Sequence, residues 1–150
     1  MATLALKDRT AIQELTHKYA LYCDTRRFDD VLELFTVNGV FDETQSGIPE
    51  VIRGRVALRS YYHQSNVPIT HITHYISNHI IRAVATGKDK GTCHVHCEAI
   101  LKDGCRVQVH GYYDDVYLKV RGHWRFASRV VIPLLPTDLG TFLQQAPLGA

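Results

Sequence analysis

Three histidines lie within ten residues, in the stretch THITHYISNH at positions 70–79: His71, His74 and His79. Imidazole serves as a base, an acid or a metal ligand near neutral pH. In a β-strand, successive side chains leave opposite faces of the sheet, which places His71 and His79 on one face and His74 on the other. A regular strand therefore cannot bring all three rings to one metal. We expect His74 to stand alone, flanked on its own face by isoleucines.

The partner predicted for His74 is Asp24. An imidazole in an apolar lining needs a hydrogen-bonding partner or stays neutral and ready to take a proton. Asp24 follows a predicted amphipathic helix, and a carboxylate bonded to one ring nitrogen raises the basicity of the other. Two alternatives stay open at this point. His74 could be a core histidine bonded to a backbone carbonyl, and Asp24 could cap the next short helix.

Helices are predicted in the first half of the chain. The first spans residues 9–23, with Thr10 and Gln13 as a capping box. Its apolar stripe has four members at helical spacing: Ile12, Leu15, Tyr19 and Tyr22. A second helix is predicted from Phe28 to about Asn38, followed by a strand over 39–44. A third helix follows Gly54, with three residues expected to face inward: Val56, Leu58 and Tyr61.

From residue 69 the apolar pattern has a period of two, which predicts four long strands, over 70–85, 91–102, 105–119 and 123–132. Glycine-containing turns separate them. Helices followed by antiparallel strands indicate an α+β domain. Strands of this length in a small protein must curl, so we expect a curved sheet that forms a cone around a pocket.

Composition and charge bound the class of protein. A chain of 150 residues with 45% hydrophobic content can form one domain over 1–150, with 133–150 as a Pro/Gly/Leu-rich C-terminal tail. The net charge of +2, without a basic stripe, predicts no nucleic-acid partner. No apolar run approaches the roughly 18–20 residues of a membrane span. The start of the sequence has no export signal, so we expect a cytoplasmic protein with four free thiols.

Four stretches together resemble the SnoaL-like family of the NTF2-like superfamily, and within it the lyases related to scytalone dehydratase. They are AIQELTHKYALYCDTRRFDDVLELF, VIRGRVALRSYY, THITHYISNHII and YYDDVYLKVRGHWRFASRVV. The resemblance covers residues 8–132. It implies an NTF2-like cone, with N-terminal helices packed on a strongly curved antiparallel or mixed sheet. It also implies a homo-oligomer, a trimer or dimer, because the outer sheet face of such proteins commonly packs on a neighbour.

The resemblance also assigns roles. Lyases of this group perform elimination without a cofactor, using an Asp–His dyad that matches Asp24 and His74. Tyr19 stands five residues before Asp24, where some members have a pocket tyrosine or lysine. Two positions depart from scytalone dehydratase: Cys23 replaces a tyrosine, and Glu43 lies near the place of its second water-holding tyrosine. These departures argue against scytalone as the substrate and leave the proton donor open.

The expected chemistry is general-base elimination on a small aromatic or polycyclic hydroxylated substrate. His74 takes a proton from carbon, and a phenol helps the leaving group depart, with Tyr19 as first and Tyr113 as second candidate. Tyr19 could instead belong to the core alone. Tyr61 and Cys97 are expected to line the pocket.

Arg129 matches a family arginine on the last strand. It is expected to bind a substrate anion or stabilise an enolate. The alternative is a surface residue, because strand parity puts Arg129 with Arg125 on the face opposite Trp124 and Phe126.

Other readings of the sequence stay open. The same dyad could cleave a carbon–carbon bond with loss of a small aldehyde, or serve a polyketide cyclase or isomerase. A non-catalytic ligand-binding or oligomerisation module would not need the dyad. The segment His94-Val95-His96-Cys97-Glu98 could bind a metal through its alternate residues, but no further ligand is evident. It is interpreted as a polar outer face, and no metal or cofactor is predicted.

Overall fold

The structure is a computed structural model that describes residues 3–136. The helices are α1 (Leu6–Asp24), α2 (Phe28–Glu33) and α3 (Gly54–Ser65), and a short 3-10 turn spans Thr44–Ser46. The strands are β1 (Phe35–Asp42), β2 (Ile52–Arg53), β3 (Ile69–Ala85), β4 (Lys88–Leu101), β5 (Arg106–Val120) and β6 (His123–Pro133). The predicted tail over 133–150 lies, beyond residue 136, outside the described residues.

The strands described form one curved sheet in the order β2-β1-β6-β5-β4-β3. All neighbours are antiparallel except β1 and β6, which run parallel. Helix α1 contacts β3 and β6, and α3 contacts β1, so the helices cover the inner face. The predicted α+β cone with a mixed sheet is confirmed. Within residues 3–136 no helix has both the length and the apolar content of a membrane span.

Strand β3 changes face in its middle. Asn78 has φ of 52°, in the left-handed region, and the pairing with β4 shifts between Ser77 and Ile80. Asparagine tolerates this conformation better than most residues. After the bulge Ile80 is 62% exposed and His79 turns inward, where it bonds Tyr117. The prediction that His79 shares the face of His71 is therefore wrong.

Strand β6 contains a similar irregularity. Its pairing with β5 shifts by one residue at Ala127, since Phe126 faces Tyr117 and Ser128 faces Val116. The shift puts Arg129 on the same inner side as Phe126, and Arg129 is fully buried. The alternative that placed Arg129 on the surface, opposite Phe126, is wrong. It assumed that side chains alternate without interruption along β6, whereas the strand has a register shift.

Some helix details also differ from the prediction. Helix α1 begins at Leu6 with Ala5 as an N-cap that makes no side-chain bond, so the capping box at Thr10 is wrong. Helix α2 ends at Glu33, since Phe35 already pairs with β6. This tertiary pairing overrides the helical pattern that predicted an end near 38.

The buried face of α3 is formed by Leu58 and Tyr62, which lie four residues apart. Leu58 and Tyr62 are buried and Tyr61 is partly buried, whereas Val56 is 86% exposed. The expectation for Val56 is therefore wrong. The helix presents its two adjacent tyrosines toward the interior of the cone.

Candidate active site

A cavity lies between α1, α3 and the concave sheet, and it opens to solvent. Its wall is mostly aliphatic and aromatic. Five residues predicted for the pocket line it: Tyr19, Tyr61, His74, Cys97 and Tyr113. No lysine or arginine is among the described residues of the wall, and Glu43 is its one carboxylic acid.

The last residue of α1, Asp24, holds His74 of β3 by two hydrogen bonds. The main-chain N–H of His74 donates to Oδ2 of Asp24 at 3.0 Å, and Nδ1 lies 2.6 Å from Oδ1. A carboxylate only accepts, so Nδ1 carries the hydrogen and Nε2 keeps a free lone pair. The imidazole is 9% exposed and lines the cavity. The contact predicted between Asp24 and His74 is present.

Neither structural alternative for these residues is observed. His74 bonds a carboxylate instead of a backbone carbonyl. The N-cap of α2 is Arg27, which makes no side-chain cap, so Asp24 does not cap that helix.

The buried stripe of α1 explains how Asp24 reaches the sheet. Ile12, Leu15, Tyr19 and Cys23 are buried at helical spacing. The stripe thus ends at Cys23, and Tyr22 is only partly buried beneath the guanidinium of Arg27. Asp24 is the next residue after this stripe, at the end of the helix that crosses β3.

The tyrosines of the wall are arranged around Tyr19. Its hydroxyl lies 3.1 Å from that of Tyr62, and its ring stands edge-on to His74 with centroids 6.4 Å apart. Burial raises the pKa of Tyr19 and of Tyr113 well above 10. These phenols can donate hydrogen bonds, but they are weak acids and stay protonated at neutral pH.

Glu43 is a wall residue to which the sequence reasoning gave no role. It follows β1, and the hydroxyl of Tyr61 donates to its Oε2 at 2.6 Å. Burial raises the pKa of Glu43 to about 7, while the hydrogen bond from Tyr61 acts in the opposite sense. The available signal was strand parity, since Glu43 lies two positions after the buried Phe41.

Arg129 lies behind the wall and is not among the residues that line the cavity. Its Nε and Nη2 donate to Asp115 at 2.9 and 2.8 Å, and both residues are fully buried. The guanidinium carbon lies 3.9 Å from the ring centroid of Tyr113 and 4.3 Å from that of Tyr19. Arg129 therefore supports the two tyrosines from the side away from the cavity.

The thiols near the dyad are protonated at neutral pH. Burial raises the pKa of Cys23 to about 12 and also raises the pKa of Cys97. A thiol is nucleophilic only as thiolate, so neither is suited to covalent catalysis. Cys23, Cys93, Cys97 and Cys105 are free cysteines.

The outer face of the sheet carries the other histidines of β4. His94 bonds Asn78, His96 stacks on His110 with centroids 4.1 Å apart, and Glu98 pairs with Arg106. The predicted alternation is confirmed, since Cys93 and Val95 are buried on the opposite face.

Comparison with known proteins places the chain in a wider family. The profile of the SnoaL-like domain matches residues 4–130. No curated protein matches the sequence.

Solved structures resemble the chain over most of its length. A provisionally assigned aromatic ring hydroxylase of Novosphingobium aromaticivorans is 27% identical, with a TM-score of 0.85 over 89% of this chain and 94% of that one. A provisionally assigned scytalone dehydratase of the same organism is 21% identical (TM-score 0.80; 89% and 88%). A hexachlorocyclohexane dehydrochlorinase of Novosphingobium barchaimii is 19% identical (TM-score 0.73; 89% and 94%). The last two comparisons show a shared fold.

Proposed function

The chain belongs to the SnoaL-like domain family, and from this membership and the Asp24–His74 contact we propose that it is a lyase that needs no cofactor. The observation that carries the proposal is the pair of hydrogen bonds that Asp24 accepts from His74 at the wall of an apolar cavity. A non-catalytic binding module would gain nothing from fixing one imidazole tautomer there. The names of the dehydratase and the dehydrochlorinase with this fold agree with an elimination reaction.

His74 is the general base in this proposal. Nε2 removes a proton from a carbon next to a carbonyl or an equivalent activating group. Asp24 holds the ring in place and stabilises the imidazolium that forms. A base held in this way contributes about 10²–10⁴-fold to a rate, and orientation within the cavity supplies more.

The wall favours a neutral aromatic or polycyclic substrate with a hydroxyl group. Tyr19 and Tyr113 present phenol rings, and Cys97 lies directly opposite His74 in the pairing of β3 and β4. An anionic substrate would meet no lysine or arginine on the described wall. The 27% identical protein, assigned to aromatic ring chemistry, agrees with an aromatic ligand.

Arg129 is proposed as a positioning residue. Its charge is paired with Asp115, and its guanidinium lies over the rings of the wall tyrosines, so it acts through Tyr19 and Tyr113. This differs from a direct contact with a substrate anion.

The test uses 4-hydroxy-4-phenylbutan-2-one as probe. Loss of water gives a conjugated enone, which absorbs in the near ultraviolet, whereas retro-aldol cleavage gives benzaldehyde and acetone. Chromatography therefore separates the two reactions of the same base. We expect turnover by the wild-type protein and a loss of at least about 10²-fold in His74→Asn.

The matched control is His71→Asn, on the same strand but exposed on its outer side. It should keep the wild-type rate. A His74→Asn variant that is folded by circular dichroism and turns over the probe like wild type would refute the lyase function and favour a binding module.

A further inference from the structure

We propose that Glu43 is the proton donor of this site, protonating the departing hydroxyl while His74 takes the proton from carbon. The inference rests on the proposed elimination function. It assigns a residue that faces the same cavity as the dyad but comes from a different part of the chain, the segment just after β1.

The surroundings of Glu43 are unusual for a structural carboxylate. Among the described residues, no basic side chain forms an ion pair with it, and the hydroxyl of Tyr61 donates a hydrogen bond to it. A carboxyl group in an apolar wall without a cation favours its neutral, protonated form. At neutral pH such a carboxyl group lowers the unfolding free energy of the protein, because it would be ionised in the unfolded chain. Groups with pKa values perturbed in this way cluster at functional sites.

The other titratable groups of the cavity wall make weaker donors. They are Tyr19, Cys23, Tyr61, Tyr62, His74, Cys97 and Tyr113, and burial raises the pKa of Tyr61 well above 10 as well. His74 is the one basic group among them and is already assigned as the base. Burial raises the pKa of the tyrosines and cysteines further from neutrality, whereas that of Glu43 is about 7. An efficient general acid has a pKa near the working pH, which selects Glu43.

Tyr61 positions this acid. Its hydroxyl donates a hydrogen bond to Oε2 of Glu43. Because Oε2 accepts this bond, the acidic proton of Glu43 resides on Oε1. The ring of Tyr61 stands edge-on to Tyr62 and packs against Phe41, which fixes the phenol in turn. Glu43 and Tyr61 thus form a second pair, comparable to Asp24 and His74.

The reaction balances with these two groups. Nε2 of His74 binds the proton of the carbon next to the carbonyl, and the electron pair of that C–H bond becomes the new carbon–carbon double bond. The neighbouring C–O bond breaks, its electrons leave with the oxygen, and Glu43 gives that oxygen a proton to form water. The products are the unsaturated ketone, water, imidazolium and carboxylate. Transfer of one proton from His74 to Glu43 through solvent restores the starting state.

The experiment compares two leaving groups. The probes are 4-hydroxy-4-phenylbutan-2-one and its acetate ester, which yield the same enone. Hydroxide needs a proton to depart, whereas acetate leaves as a stable anion. In Glu43→Gln we expect water loss to fall by about 10²–10⁴-fold and acetate loss by less than about tenfold. His74→Asn should lower both rates.

Glu50→Gln is the matched control, because Glu50 is exposed. Its rates should equal those of wild type for both probes. Tyr61→Phe should reduce water loss more than acetate loss, with a smaller ratio than Glu43→Gln, since the acid is present but less well held.

The outcomes separate the two proposals. A wild-type protein that eliminates neither group refutes the lyase function itself. If wild type eliminates both and Glu43→Gln lowers both rates equally, or neither, the function stands and the assignment of Glu43 fails. A carboxyl ¹³C NMR titration, assigned with Glu43→Gln, gives a check without turnover: a midpoint near 7 supports the assignment, and one near 4.5 overturns it.

Discussion

Replacing Asp24 by asparagine separates catalysis from stability, because the carboxylate uses both of its oxygens. Each oxygen accepts one N–H of His74, from the main chain and from Nδ1. Asparagine has a single oxygen and an NH₂ group that only donates. One of the two bonds must therefore change.

The side-chain amide introduced by Asp24→Asn has two orientations with different consequences. If its oxygen faces Nδ1, the NH₂ group meets the main-chain N–H, donor against donor. If its oxygen faces the main chain, the NH₂ group donates to Nδ1, and the ring hydrogen moves to Nε2. The second orientation satisfies both groups and is favoured. It leaves His74 without a free lone pair toward the cavity.

Asp24→Asn should therefore fold well but turn over slowly. The exchange of charge-assisted for neutral bonds costs about 1 kcal/mol of unfolding free energy. The loss of the base reduces the rate by about 10²–10⁴-fold, or about 3–5 kcal/mol of barrier. Urea denaturation gives the first quantity, and enone formation from 4-hydroxy-4-phenylbutan-2-one gives the second. In Asp24→Ala the main-chain N–H loses its partner, so the stability loss should be larger, about 1–3 kcal/mol.

The control for Asp24→Asn is Asp114→Asn, an exposed aspartate of β5. It should change neither quantity. An Asp24→Asn protein that keeps more than a tenth of the wild-type rate would refute the argument that the carboxylate sets the tautomer of His74.

Glu43, the Asp115–Arg129 pair and the cysteines give three further predictions. The folded protein retains a proton on Glu43 up to a pKa of about 7, against 4.5 when unfolded, so its unfolding free energy should fall by up to about 3 kcal/mol as pH rises through that window. The difference in urea stability between wild type and Glu43→Gln should change accordingly between pH 4.5 and 8, and parallel curves would contradict it. Asp115→Asn should lower the unfolding free energy by about 3–5 kcal/mol, because it leaves the Arg129 guanidinium buried without its counter-charge; a loss below 1 kcal/mol would show that solvent reaches the pair. Iodoacetamide at pH 8 should alkylate the exposed Cys105 first in the native protein and all four cysteines in denaturant, and native labelling of the buried Cys23 or Cys93 would mean that the wall opens.

The central contact was predictable because its two halves follow from local rules. A strand alternates, which set His74 apart from its neighbour His71, and an amphipathic helix places the residue after its stripe against the sheet. The family resemblance then joined Asp24 to His74. The overall cone followed from the order of helices and long strands.

The two errors of strand parity have a common physical cause, since alternation fails where a strand bulges. A single left-handed residue at Asn78 turned His79 inward, and the shift near Ala127 turned Arg129 inward. Neither event has a distinct sequence signal. Glu43 was given no role for another reason: it follows β1 whereas its partner Tyr61 comes from α3, and only the packed structure brings the two together. Homo-oligomerisation and a cytoplasmic location stay predictions.

The most direct test of the proposed mechanism is the protonation of the His74 ring, read by ¹⁵N NMR of histidine-labelled protein and assigned with His74→Asn. At a pH where the ring is neutral, we expect a protonated, pyrrole-type Nδ1 and an unprotonated, pyridine-type Nε2. In Asp24→Asn the two signals should exchange character. A wild-type ring with its hydrogen on Nε2 would contradict the assignment of His74 as the base.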